Sequence, residues 1–133
     1  MRTEMPGSAL RPVATVGIVA KTRLESASRV VHEILAWLSE RKIRPIVEGD
    51  TAGLAALTSV QTATAAELPD MSDLILVLGG DGTLLGMARQ IAVARTDPPI
   101  LAVNLGNLGF LTEITLPELF GALTSVVDGT AGI

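Results

Sequence analysis

Four short apolar runs recur along the chain at intervals close to thirty residues, and this spacing constrains the fold more than any other feature. The runs are centred near residues 16, 45, 76 and 102. Each is rich in Val, Ile and Leu, which is typical of strands covered on both faces. A repeat of roughly 30 residues is the length of a βαβ unit. The sequence therefore predicts an open, mostly parallel α/β sheet in one domain.

The pattern of apolar residues also predicts the individual elements. Strands are expected at 13–20, 43–47, 74–78 and 100–104. Pro45 indicates either an edge strand or a strand start, because proline has no N–H for the ladder. One apolar stripe predicts a helix over 26–41, with Ser26 as its N-cap. After the third strand, a second helical face is predicted by Leu84, Ala88, Ile91 and Ala92.

Two further segments differ in how clearly their sequence predicts secondary structure. The Ala- and Thr-rich stretch 49–70 has no clear period, and only a short helix over 54–60 is predicted there. Thr115 and Glu118, in contrast, form a T-x-x-E capping box that predicts the start of a last helix. The stripe and end of that helix are predicted at Leu119, Leu123, Val126, Val127, Asp128 and Gly129.

Composition excludes several classes of function. The net charge is −4 and only three residues are aromatic, so neither a basic surface nor a stacking platform for nucleic acid is expected. The chain has no cysteine, which excludes disulfides and thiolate chemistry and fits a reducing cytoplasm. No apolar run approaches the roughly 20 residues that cross a bilayer, so no membrane partner is expected. We predict a flexible leader at 1–12 and one cytoplasmic α/β domain at 13–133.

The stretch LILVLGGDGTLLG, residues 74–86, carries the strongest chemical signal. It is not a Walker A loop, because no lysine follows the glycines, and Leu85 stands where the dinucleotide fingerprint needs its third glycine. What remains is a strand–GGDGT–helix turn. Its three glycines, Gly79, Gly80 and Gly82, let the backbone approach a ligand closely. The helix start and the Thr83 hydroxyl favour phosphate oxygens.

Asp81 is the unexpected residue in this turn, since a carboxylate repels the anions that such loops receive. The simplest interpretation makes it a helix N-cap held between turn glycines. A second glycine-rich loop, NLGNLGFLTE at 104–113, follows the next predicted strand. Ligands of open parallel sheets bind beyond the carboxyl ends of the strands, where both loops begin. The pair of loops therefore favours a ligand site over a simple cap.

GGDGTLL followed one strand later by NLGNLGFLTE resembles the ATP–NAD kinase family, which phosphorylates NAD to NADP. The resemblance covers about residues 13 to 129, and it implies a Rossmann-like three-layer sheet, as in the N-terminal domains of NAD kinases and 6-phosphofructokinases. GGDGT alone is shared with lipid kinases and 6-phosphofructokinases. The N-x-G-x-L-G-F-L-T loop distinguishes the NAD kinases among them.

The resemblance gives Asp81 a role as the general base on the adenosine ribose 2′-hydroxyl of NAD. It also implies that Asp81 and Gly82 contact NAD and that Gly79, Gly80 and Thr83 shape the phosphate-facing turn. Asn104 and Phe110 would line the adenosine side. The implied substrates are ATP and NAD, with Mg²⁺ arriving on ATP to neutralise the phosphates; no metal site of the protein's own is expected.

The family continues into a second, β-rich domain with an Asn-Glu pair, and neither that pair nor the domain is recognised in this sequence. We therefore expect about half of a full-length enzyme, with the isolated chain short of much of the NAD site. Homo-oligomer contacts would belong mainly to the missing domain. Two alternatives stay open: a catalytically incomplete nucleotide-binding fragment, and a lipid or sugar kinase of the GGDGT type.

Four other side chains receive structural interpretations. His32 is interpreted as a solvated helical residue, and Trp37 as a residue at the margin of its helix's apolar stripe. Asp70 and Asp73 precede a predicted strand and are interpreted as turn residues.

Overall fold

The computed structural model describes residues 13–20, 25–55, 57, 59–79, 81–104 and 116–127. Strands and helices alternate along these residues. In chain order they are β1 (Thr15–Ala20), α1 (Glu25–Glu40), β2 (Arg44–Glu48), α2 (Gly49–Leu54), β3 (Gln61–Ala63), α3 (Leu68–Met71), β4 (Leu74–Gly79), α4 (Asp81–Ala92), β5 (Ile100–Asn104) and α5 (Leu116–Val127).

The strands form one five-stranded sheet in the order β3-β2-β1-β4-β5, and every pair is parallel. This confirms the predicted open α/β sheet. From β1 the chain moves outward through β2 to β3, and it then returns to the other side of β1 for β4 and β5. The direction of winding reverses between β1 and β4. In sheets of this kind a ligand crevice lies at the carboxyl ends of the two strands that flank the reversal.

Helices cover both faces of the sheet and make the fold three-layered. Alternate residues of β1 and β4 contribute to opposite faces, as the two-residue period of a strand requires. On one face they pack with α1, α2 and α5, and on the other with α3 and α4. All six residues of β1 and all six of β4 are buried. Burial on both faces explains why these strands appear in the sequence as continuous apolar runs.

The four predicted strands are confirmed within one or two residues of their ends, but the three-residue strand β3 was not predicted. Its sequence, Gln-Thr-Ala, contains no apolar run, and only Ala63 is buried. As the outermost strand it pairs with β2 alone. Pro45 is the second residue of β2 and precedes the pairing with β3, which begins at Ile46. The strand-start interpretation of this proline is therefore correct.

The helix predicted over 54–60 is wrong, because α2 lies earlier, at Gly49–Leu54. The Glu48 side chain caps it by accepting a hydrogen bond from the Thr51 backbone N–H at 3.0 Å. A cap from a strand residue overrides the low helix propensity of the two glycines in this short helix. On α4 the prediction is partly wrong: Leu84 and Ile91 pack on the sheet, but Ala88 and Ala92 are exposed and Met87 is the buried residue.

Helix α1 begins at Glu25, so Ser26 lies inside the helix and its predicted N-cap role is wrong. The helix ends in a Schellman motif: the Ile43 N–H donates to the Leu38 carbonyl at 3.0 Å, and the Lys42 N–H to the Ser39 carbonyl at 3.1 Å. Lys42 has φ of 58°, the left-handed conformation that glycine normally provides at this position. Burial of Ile43 and Leu38 in the core holds the motif together.

In α5 the predicted apolar stripe is confirmed at Leu119 and Leu123, both fully buried. Thr115, Asp128 and Gly129, which were predicted to cap and end this helix, lie outside the described residues, as does the predicted leader at 1–12.

Candidate functional site

The turn from β4 into α4 is short and is built around glycine. Strand β4 ends at Gly79, whose φ of 146° is a conformation that side chains with a Cβ rarely adopt. Helix α4 begins two residues later, at Asp81. The N-cap position therefore precedes Asp81, and the interpretation of this residue as a simple N-cap is not supported. Asp81 instead stands in the first turn, where a carboxylate is favoured by the helix dipole.

The two glycine-rich loops begin side by side. Gly79 at the end of β4 is the register partner of Asn104 at the end of β5. Because the strands are parallel, the chain leaves both of them at the same edge of the sheet, which confirms that the two motifs follow neighbouring strand ends. Gly80, Phe110 and the rest of the second loop lie outside the described residues, as do the side chains of Asp81 and Asn104.

The described residues leave space beside the start of α4. Gly82 is exposed, and a Cβ added there would meet no atom of the described residues within 4 Å. Thr83 is half-buried beside it. The first N–H groups of a helix have no partner within the helix and can bind oxyanions. Among the described residues, this end of α4 therefore combines the N–H groups of a helix start with space next to the Gly82 backbone.

On the other side of the crevice, a buried polar pair holds the end of β1. The Ala20 N–H donates to the Thr51 hydroxyl oxygen at 2.8 Å, and that hydroxyl lies 3.1 Å from the Ala20 carbonyl oxygen. Glu48 Oε1 lies 2.9 Å from the same hydroxyl. Neither Glu48 nor Thr51 was predicted as part of the site. Their only signal in the sequence is an acid at a strand end followed three residues later by threonine.

A depression of about 440 Å³ lies at the carboxyl ends of β2 and β3. Its lining includes three carboxylates, from Glu48, Asp50 and Glu67, together with Thr62 and Thr64. It contains none of the residues predicted from the sequence to bind a nucleotide, and its acidic lining disfavours phosphate. The crevice between β1 and β4 is therefore the better candidate for the site.

The remaining polar residues singled out in the sequence lie away from this crevice. His32 is exposed on α1, and its Nε2 lies 2.9 Å from the Ala55 carbonyl oxygen. Trp37 packs against the edge of the core, with the Phe120 ring 6.3 Å away and the Arg41 guanidinium 3.8 Å above its ring. Both positions confirm structural interpretations.

Asp70 and Asp73 are also structural, and they do more than form turns. Asp73 Oδ2 accepts hydrogen bonds from the N–H groups of Ala14 and Thr15 at 2.9 and 3.0 Å. Asp70 Oδ1 accepts from the N–H groups of Arg95 and Thr96 at 2.9 and 3.1 Å. Each carboxylate thus ties together segments that are distant in the sequence, at the amino edge of the sheet.

Within the described part of the chain, no three His, Asp or Glu side chains are grouped so that they could hold a metal ion. Nor is any described helix long and apolar enough to span a membrane.

Comparison with known proteins gives consistent matches. The family model for the ATP-NAD kinase N-terminal domain matches residues 16–131. The chain is 43% identical over 114 residues to an NAD kinase of Geobacter metallireducens and 44% identical over 114 residues to one of Syntrophotalea carbinolica. Among solved structures it is similar to yeast NADH kinase in complex with NADH, with a TM-score of 0.77 and 26% identity.

These matches cover most of this chain but less than half of each relative. The two bacterial matches span 86% of the chain and 38% or 39% of the relative, and the yeast match spans 91% of the chain and 40% of that structure. The matched residues thus make up about two fifths of each relative's length.

Proposed function

The chain belongs to the ATP-NAD kinase family, and we propose that it forms the GGDGT-carrying part of an NAD kinase. In the proposed reaction the adenosine ribose 2′-hydroxyl of NAD attacks the γ-phosphorus of ATP, which is bound with Mg²⁺. The new O–P bond replaces the bond to the β-phosphate bridging oxygen, and ADP leaves. The hydroxyl proton passes to a carboxylate. The products are NADP and ADP.

The observation that carries this proposal is the pairing of Gly79 with Asn104. It brings the starts of both family motifs to one edge of the sheet, beside the reversal between β1 and β4. Phosphoryl transfer requires mainly positioning and charge neutralisation, with a base oriented on the attacking hydroxyl. A glycine turn that leads into a helix start supplies the first two, and an acid in the first turn of that helix supplies the third.

We assign the roles as follows. Asp81 is the general base for the 2′-hydroxyl, and Asp81 and Gly82 contact NAD. Gly79, Gly80 and Thr83 form the phosphate-facing turn, a role supported by the positive φ of Gly79 and by the open space beside Gly82. Asn104 and Phe110 line the adenosine side of the pocket. Asn104 is supported by its position opposite Gly79, whereas Phe110 rests on the motif alone.

The rest of the NAD site is proposed to come from polypeptide beyond these 133 residues. The chain spans only 38% or 39% of the curated relatives described above, and more than half of a typical family member therefore lies outside the matched region. We propose that the 133-residue chain binds nucleotide without turning over NAD, and that the full-length enzyme is a cytoplasmic homo-oligomer.

The test is an NADP-formation assay on the gene product expressed from its complete reading frame, with ATP, Mg²⁺ and NAD. Asp81→Asn keeps the size of the side chain and removes its basicity, and we expect kcat to fall by about 10²-fold or more. Asp70→Asn, at the opposite edge of the sheet, is the matched control and should keep wild-type kcat.

Two results would contradict the proposal. Retention of most activity by Asp81→Asn would remove the assigned base. Faster phosphorylation of diacylglycerol or fructose 6-phosphate than of NAD would place the protein with the other GGDGT kinases. Calorimetry on the 133-residue chain tests the division of the site: ATP binding without NADP formation is expected, and NADP formation by this chain alone would show that it is complete.

A further inference from the structure

The carboxyl end of β1 is left without a strand partner on one side. The pairing of β1 with β2 ends at Ile18 and Val47, whereas its pairing with β4 continues to Ala20 and Leu78. Strand β2 gives way to α2 directly after Glu48. A buried N–H or C=O group without a partner is strongly destabilising. The peptide groups of Ala20 on the β2 side must therefore be satisfied by something other than a strand.

Thr51 satisfies both of them. Its hydroxyl oxygen accepts the Ala20 N–H at 2.8 Å and lies 3.1 Å from the Ala20 carbonyl oxygen. One side chain thus takes the place of the next residue of β2. A valine of the same shape could make neither contact, so on the β2 side it is the hydroxyl of Thr51 that satisfies Ala20.

The Thr51 hydroxyl is itself oriented by a buried carboxylate. Thr51 is 0% exposed and Glu48 is 6% exposed. Glu48 Oε1 lies 2.9 Å from the hydroxyl oxygen and accepts the Thr51 N–H at 3.0 Å. The single hydroxyl proton is therefore directed toward the carboxylate or the Ala20 carbonyl, and a lone pair is left for the Ala20 N–H. Hydrogen bonds of this charge-assisted kind are stronger than neutral ones.

This pair acts at the proposed nucleotide crevice. Ala20 is the register partner of Leu78, the residue directly before Gly79 of the GGDGT turn. The ends of β1 and β4 are also the two strand ends that flank the reversal of the sheet. The end of β1 and the end of β4, from which the glycine turn starts, therefore flank the crevice on its two sides.

We propose that Thr51, oriented by Glu48, is a positioning residue for phosphoryl transfer, because it holds the end of β1 against the GGDGT turn. The inference rests on the proposed function, and it names residues that do not belong to either family motif. A displacement of about 1 Å at such a site can reduce the rate on the order of 10²-fold, since transfer depends on alignment of the reacting groups.

The test compares three variants of the complete gene product by steady-state kinetics and by amide hydrogen exchange. Thr51→Val removes the hydroxyl at constant shape, and we expect kcat to fall at least tenfold, with a smaller change in KM and with faster exchange of the Ala20 amide. Thr51→Ser keeps the hydroxyl and should recover most of kcat. Thr96→Val is the control for the loss of a threonine hydroxyl at an exposed position. Its hydroxyl also donates to a backbone carbonyl, that of Pro69 at 2.6 Å, but at the amino edge of the sheet.

The outcomes separate this inference from the proposed function. If the wild-type protein forms NADP and folded Thr51→Val keeps kcat within twofold, the positioning role is wrong and the function stands. An equal loss of kcat in Thr96→Val would reduce the effect to general destabilisation and would also overturn the inference. A wild-type protein that forms no NADP would contradict both the positioning role and the proposed function.

Should Thr51→Val fail to fold, Glu48→Gln provides the measurement. It keeps the acceptor oxygen and weakens the orientation of the hydroxyl, so a threefold or larger fall in kcat at an unchanged melting temperature is expected. Wild-type kcat in Glu48→Gln would contradict the inference.

Discussion

The two edges of the sheet use the same residue types for different purposes. At the amino edge, the carboxylates of Asp70 and Asp73 accept hydrogen bonds from backbone N–H groups of distant segments. At the carboxyl edge, Asp81 begins a helix directly after a glycine turn, next to a residue with open space around it. An aspartate beside a strand is therefore a weak signal by itself. The end of the strand at which the aspartate lies separates the two structural ties from the proposed general base.

Glycines show the same contrast. Gly17 lies within β1, and a Cβ there would meet Ser72 Oγ at 2.5 Å and Leu68 Cδ2 at 3.1 Å. Packing of α3 on the sheet therefore requires this glycine. Around Gly82 the described residues leave open space, so none of them requires glycine at that position. The same open space surrounds Gly49, Gly53, Gly86 and Gly121, and what distinguishes Gly82 is its place in the GGDGT turn.

The largest effect on stability is expected for Asp73→Ala. It removes the acceptor of two backbone N–H groups, and hydrogen bonds to a charged group contribute about 1.5–3 kcal/mol each, less at an exposed position. We expect a loss of about 3 kcal/mol in the free energy of unfolding, measured by urea denaturation. Activity per folded molecule should not change. A large fall in kcat in a fully folded Asp73→Ala protein would contradict the view that the amino edge is structural and the carboxyl edge carries the reaction.

The glycine pair should give an intermediate effect. Gly17→Ala is expected to lower the free energy of unfolding by about 2 kcal/mol, because overpacking forces neighbours to move. Ser72→Ala should recover part of that loss, since it removes the nearest clashing atom, a buried hydroxyl that has no hydrogen-bond partner among the described residues.

Gly82→Ala is the counterpart at the carboxyl edge. The fold should be unchanged or more stable by up to about 1 kcal/mol, because alanine favours helix over glycine. ATP or NAD should bind more weakly, as measured by calorimetry. Equal stability losses in Gly17→Ala and Gly82→Ala would contradict the view that packing requires Gly17 and does not require Gly82.

The smallest effect on stability is expected at Lys42, which has a positive φ. Lys42, at the amino edge, holds a left-handed conformation that glycine occupies more easily, so Lys42→Gly should stabilise the protein by about 1 kcal/mol in thermal unfolding. The lysine cation also lies just beyond the end of α1, where it interacts favourably with the helix dipole. Replacement by glycine removes this interaction, which reduces the gain in stability. A destabilised Lys42→Gly would show that the dipole term is the larger one.

Much of the fold was predictable because the buried strands carry their signal in every residue. β1 and β4 are buried at all six positions, and no turn or cap is needed to recognise them. β3 and α2 were not predictable in the same way. β3 exists because β2 offers it an edge, and α2 begins where Glu48 reaches the Thr51 N–H. Thr64 and Glu67 form a capping box whose pattern, T-x-x-E, is visible in the sequence, although no helix was predicted from it.

The sequence by itself determined the class of sheet, the family, and the residues of both glycine-rich motifs, because each of these depends on neighbours along the chain. The tertiary structure decided which strand ends meet. It set Gly79 opposite Asn104 and Ala20 opposite Leu78, and it brought the Thr51 hydroxyl to a backbone segment thirty-one residues away. Partners so distant in sequence leave no local pattern, since their contact depends on the order of the strands and not on the residues around either one.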